Sequence, residues 1–134
     1  MTKLADIEGV GPVFAAKLEA AGVKDEEALL KMGGTAKGRK ELAEKSGLNE
    51  AHILKWVNRV DLARVKGIGG QYADLLEVAG VDTVVELAAR KPENLVAKMT
   101  EVNEAKKLVR RLPTLTEVQD WVKQAKDLPR AVSY

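Results

Sequence analysis

The chain has no cysteine, a single histidine, and aromatic side chains at only 4% of its 134 positions. Without thiols it forms neither disulfides nor a thiolate metal site, a composition that fits the cytoplasm, where it is expected to reside. His52 has no second imidazole or thiol to join it in a transition-metal site or a Cys–His dyad. So few rings leave the core to Leu, Val, Ile and Ala, a palette that suits helices. No apolar run approaches the roughly 20 residues of a membrane span. Met1-Thr2-Lys3-Leu4 leads directly into structured sequence, so no cleaved leader is expected. A dominant charge is missing as well: 22 basic and 20 acidic side chains leave +2. Phosphate-binding proteins usually show a stronger basic bias, so any such reading rests on local patches.

What is present is a repeat. Ile7-Glu8-Gly9-Val10-Gly11 returns at an offset of 58 as Val65-Lys66-Gly67-Ile68-Gly69. The match extends through Leu4/Leu62, Ala15/Ala73, Leu18/Leu76, Ala21/Ala79, Gly22/Gly80 and Leu29/Leu87. Hydrophobic content of 46% and charged content of 31% are ordinary for a folded domain. The length suits one domain or two small copies sharing a core.

The chain reads as helix throughout. A short helix over Thr2–Ile7 precedes a hairpin at Glu8–Gly11 and a helix over Pro12–Ala21, with Gly22 as a left-handed stop. Asp25-Glu26-Glu27 opens the next helix, which ends at Gly33-Gly34, and Thr35 caps another through Lys45. Asn49 caps a helix with Ile53, Val57 and Val60 on one face. The second copy repeats this order, with a hairpin at Lys66–Gly69, Gly80 as a stop, an N-cap at Asp82 and a helix start at Pro92. Asn103-Glu104-Ala105 echoes Asn49-Glu50-Ala51, and a last helix spans Thr116–Leu128. The expected fold is all-α: repeats at 1–60 and 61–112 packed as one body, a capping helix at 113–129 and a tail at 130–134.

In a Gly–apolar–Gly hairpin the first glycine permits a turn closed to other residues, and the second allows close approach from outside. The helix that follows aims its free N–H groups outward, which makes a modest anion site. The copies differ in their surroundings. Asp6 and Glu8 flank the first hairpin, and Pro12 removes one donor. At the second, Arg64 and Lys66 flank Gly67, Ile68 and Gly69, while Gly70 and Gln71 keep their N–H groups. Lys106, Lys107, Arg110 and Arg111 add a basic ridge if 105–112 is helical, its apolar face being Ala105, Leu108, Val109 and Leu112. The bland reading of that ridge is a solvated face answering Glu101 and Glu104. Phe14 and Tyr72 align as half-buried rings, while Trp56 and Trp121 are expected in the core.

The Gly–apolar–Gly pattern resembles the helix–hairpin–helix motif, whose common use is to grip the nucleic-acid backbone without reading sequence. DNA-gripping members usually carry Lys or Arg just after the second glycine, where this chain has Val13 and Gln71. Val81-Asp82-Thr83 matches the catalytic context of helix–hairpin–helix glycosylases, yet stands too close to Gly69 for that family. Across nearly its whole length the chain is similar to a family of small tandem helix–hairpin–helix proteins catalogued only as a domain of unknown function. The segments that carry this likeness are 4–11, Lys37-Gly38-Arg39-Lys40-Glu41-Leu42-Ala43, Ile53-Leu54-Lys55-Trp56-Val57-Asn58, 65–69 and 107–111. The resemblance implies an all-helical repeat protein, with nucleic-acid binding inferred by analogy.

The expected function is therefore non-enzymatic: weak binding of nucleic acid, duplex DNA foremost, through Arg64, Lys66–Gln71 and the basic ridge. The alternative is a protein–protein interaction module whose hairpins only pack. No cofactor, metal, small-molecule substrate or membrane partner is expected.

Overall fold

The computed structural model describes residues 4–7 and 10–133, with the backbone alone at Asp6. Among the described residues the fold is all-α, with eight α-helices and a 3-10 turn at Leu4–Asp6. The acidic rim expected at Asp6 and Glu8, the first glycine Gly9 and the start of the helix expected from Thr2 lie outside the described side chains or residues.

The chain divides into two compact units, 1–61 with 131–134, and 62–130. Unit 1 contains α1 (Gly11–Ala20), α2 (Glu26–Gly33), α3 (Ala36–Ser46) and most of α4 (Glu50–Ala63). Their apolar stripes meet in a cluster that includes Leu18, Val23, Leu29, Leu42, Ile53, Trp56 and Val57. Unit 2 contains α5 (Gly70–Val78), α6 (Val84–Ala88), α7 (Pro92–Lys106) and α8 (Leu115–Asp127). Its own cluster gathers Leu75, Leu76, Val81, Leu87, Leu95, Met99, Val118 and Trp121. Among the described residues the buried apolar side chains form two clusters, one in each unit.

Local chemistry sets the helix limits. Asp25 caps α2 by accepting from Ala28 N–H, and Thr35 caps α3 by accepting from Gly38 N–H. Asn49 accepts from Ala51 N–H at the start of α4. Gly22 and Gly80 are left-handed, at φ 98° and 96°, and stop α1 and α5 as expected. In α6 the cap is Thr83 rather than Asp82, because the threonine hydroxyl accepts from Glu86 N–H.

The closing helix α8 packs against α6 and α7. Its buried Val118, Trp121, Val122 and Ala125 stand at a constant offset of 65 from the buried Ile53, Trp56, Val57 and Val60 of α4. Each tryptophan meets the aligned ring of its own unit. Phe14 and Trp56 have centroids 5.2 Å apart, and Tyr72 and Trp121 5.3 Å. Thus α8 has the place in unit 2 that α4 has in unit 1. The offset grows from 58 to 65 mostly because the connection between α7 and α8, residues 107–114, is longer than its counterpart between α3 and α4.

Candidate nucleic-acid interface

The second hairpin is built from inside outward. Val65 and Ile68 are buried and plug it into the core of unit 2. Between them Gly67 holds φ 101°, a left-handed conformation that side chains with Cβ rarely adopt. A Cβ there would also stand 2.8 Å from Trp121 Nε1, so α8 packs directly under the turn. Gln124, also on α8, accepts from Lys66 N–H at 2.9 Å and donates to the Lys66 carbonyl at 3.1 Å. One amide side chain therefore pins both main-chain polar groups of that residue.

Gly69, extended at φ −94° and ψ −175°, N-caps α5 and offers no side chain to its first turn. The helix thus begins with N–H groups that have no acceptor within the helix. Elsewhere Asp25, Thr35, Thr83 and Thr114 supply a capping oxygen, and α1 and α7 carry a proline at their second and first positions. Gly11, aligned with Gly69, instead has φ 69°, so the two hairpins differ in backbone as well as charge.

The start of α5 opens into a cleft of about 440 Å³ lined by Gly67, Gly69, Gly70, Gln71, Tyr72, Val109, Arg110 and Arg111. Its far wall is the connection from α7 to α8. The helical ridge expected over 105–112 is not formed. Helix α7 stops at Lys106, and Lys107 turns left-handed at φ 50°. Asn103 holds the reversal by donating to the Val109 carbonyl and accepting from its N–H, at 3.2 and 3.0 Å. Val109 is thereby buried, and Tyr72 donates its hydroxyl hydrogen to the Arg111 carbonyl at 2.9 Å. The four basic residues are divided: Lys106 ends the helix, Lys107 caps it, and Arg110 and Arg111 turn with the loop.

Arg111 is committed to an exposed, two-pronged pair with Glu117, at 3.0 and 3.1 Å. The same carboxylate closes a capping box at the start of α8. It accepts from Thr114 N–H while the Thr114 hydroxyl accepts from Glu117 N–H. The Arg111 hydrogen bonds, with the Thr114 N–H next, hold the Glu117 carboxyl down at about 2. In return, Glu117 raises Arg111 above the usual guanidinium value, first through the hydrogen bonds and then through its charge.

Of the eleven residues expected at the interface, six line this cleft: Gly67, Gly69, Gly70, Gln71, Arg110 and Arg111. Ile68 is buried as the plug. Arg64 donates to the Pro129 carbonyl at 2.8 Å, and Lys66 is exposed; both lie outside the cleft lining, as do Lys106 and Lys107. Four residues that shape the site carry little signal in the sequence. Tyr72 is visible there only as the ring aligned with Phe14, and Asn103 only as an echo of Asn49. Gln124 sits beside the apolar stripe of α8 and belongs to no motif, whereas Thr114 and Glu117 have the spacing of a capping box, a signal that marks only the start of α8.

Among the described residues no helix is long and apolar enough to cross a membrane, and no group of three His, Cys, Asp or Glu is placed to hold a metal ion.

A family model described as "Domain of unknown function (DUF4332)" matches residues 8–128, and the chain belongs to that family. No curated protein and no solved structure matches the chain.

Proposed function

We propose that the chain is a non-enzymatic binder of nucleic acid, duplex DNA foremost, which grips the phosphodiester backbone at the second hairpin. The observation that supports this reading best is the uncapped start of α5, opening with Gly69, Gly70 and Gln71 into a cleft walled by Arg110. A phosphate oxygen there would accept from helix N–H groups with the dipole behind them, opposite a guanidinium. Such contacts position the backbone and carry no base identity, so binding would be indifferent to sequence. Lys66 and, further along the chain, Lys106 and Lys107 would add steering charge without touching the cleft.

A net charge of +2 and the small number of cationic contacts make the binding weak, and because those contacts are to phosphates it falls further as salt is added. Gel retardation of a duplex and of a single strand of equal length, each at two salt concentrations, tests the proposal. Preferred retardation of the duplex at low salt, lost on adding salt, is the expected outcome. No retardation at low salt overturns it.

A second reading draws on Arg64 and Arg111, whose guanidinium groups are bound to Pro129 and Glu117 within unit 2. If the cations mainly stabilise the unit, the hairpin serves packing and the chain is a protein-interaction module. An apolar protein interface would hold its affinity as salt rises, which separates the two.

A further inference from the structure

Residues 131–133 are held by unit 1 as a bound peptide would be. Ser133 N–H donates to the Gly34 carbonyl at 2.7 Å. Arg39 donates through Nη2 to the Ser133 carbonyl at 2.7 Å and through Nη1 to the Gly33 carbonyl at 2.9 Å. One guanidinium therefore ties the end of α2 to the main chain of the segment. Arg39 is only 6% exposed, and a buried guanidinium is tolerated when its donors are occupied in this way. Val132 enters the apolar cluster of unit 1 and is 3% exposed. Gly34 makes room for the passage, since a Cβ there would overlap the Ala131 carbonyl oxygen. An open cleft of about 680 Å³, lined in part by Asp25, Lys31 and Thr35, runs beside Ala131 and leaves that side uncovered.

We propose that Gly33, Gly34 and Arg39 form a peptide-binding slot whose intermolecular partner is the 131–133 segment of a second copy of this chain. The described hydrogen bonds run to main-chain groups and the buried apolar contact to one valine, so an identical segment reproduces them. The contact is small, and the chain's own segment prevails because tethering holds it at an effective concentration on the order of millimolar. Weakening that segment opens the slot to exchange, the route by which swapped dimers form.

The test uses the full chain carrying Val132→Asp, which places a charge in the apolar pocket and ejects the chain's own segment. A synthetic peptide of residues 128–134 stands in for the second copy and is titrated to several times the roughly millimolar tether concentration. The Gly33 and Gly34 amide signals and the Arg39 Nε–H signal should shift saturably in the variant. The parent should respond at least about tenfold more weakly, because its slot is filled. The same peptide with aspartate in place of its valine should do nothing. If Val132→Asp instead loosens unit 1, the unmodified peptide must raise its melting midpoint as concentration grows. A folded variant without shifts, a midpoint indifferent to peptide, or equal responses from parent and variant overturns the proposal.

Discussion

The hydroxyl of Tyr72 donates to the main-chain carbonyl of Arg111 across 39 positions of sequence. Its aligned counterpart Phe14 has no hydroxyl, and unit 1 has only Gly47–Asn49 where unit 2 has the longer connection that the hydroxyl secures. A side chain and the loop it holds thus differ together between the two copies. Tyr72→Phe keeps the ring against Trp121 and loses the hydrogen bond. Chemical denaturation should show unit 2 destabilised by about 1 kcal/mol. Nucleic-acid affinity should fall with it, since the wall bearing Arg110 is no longer tied down.

Gly67 combines a left-handed backbone with the closest approach of α8. Gly67→Val adds a disfavoured conformation, about 1–3 kcal/mol, to a clash with the indole nitrogen of Trp121. The denaturation midpoint of unit 2 should drop sharply, accompanied by a change in Trp121 fluorescence. An unchanged midpoint would remove the premise that the hairpin rests on α8.

The Arg111–Glu117 pair contributes to how stability responds to acid. The Glu117 carboxyl is held at about 2 in the folded chain, below its ordinary value of 4.5. A lowered carboxyl stabilises the fold above the ordinary value, and that contribution is lost as pH falls from there through about 2. The melting midpoint should therefore decline over this window in the parent and decline less in Glu117→Gln. The same substitution releases Arg111 from its partner. Under the proposed function the salt dependence of binding should steepen by about one unit.

The two hairpins should respond differently to charge. Reversal of Arg64 and Lys66 to Glu places two acids beside Gly67, turns attraction of the phosphate backbone into repulsion, and should weaken binding by about 1 kcal/mol or more. Part of the Arg64 effect will appear as stability, because that guanidinium also bonds the Pro129 carbonyl. Asp6→Asn with Glu8→Gln should leave retardation unchanged or slightly stronger. Equal losses from both pairs would favour the protein-interaction reading.

Much of the fold is legible in the sequence because local rules and tertiary packing agree. The caps at Asp25, Thr35 and Asn49 and the stops at Gly22 and Gly80 are decided within a few residues of chain. The basic ridge is misleading because Lys106–Leu112 has good helical periodicity, and the break is imposed by Asn103 folding back onto Val109. The echo of Asn49 at Asn103 misleads for a related reason: the residue that caps α8 is Thr114. The segment 131–133 carries no signal at all. Its partner Arg39 sits in a stretch of charged residues and reads as solvent-facing, although its guanidinium is turned inward onto Gly33 and Ser133. At the cleft, sequence supplies the glycines and arginines, whereas the enclosing geometry depends on α8, distant in sequence.

Under the proposed function a phosphate sits between the start of α5 and Arg110. The most direct measurement is the salt dependence of duplex retardation for the parent and for Arg110→Gln, which removes a cleft charge and leaves the Arg111–Glu117 pair and the Tyr72 hydrogen bond in place. Weaker binding, with a salt slope flatter by about one unit and an unchanged denaturation midpoint, is the predicted result. Affinity and slope both equal to those of the parent would contradict it.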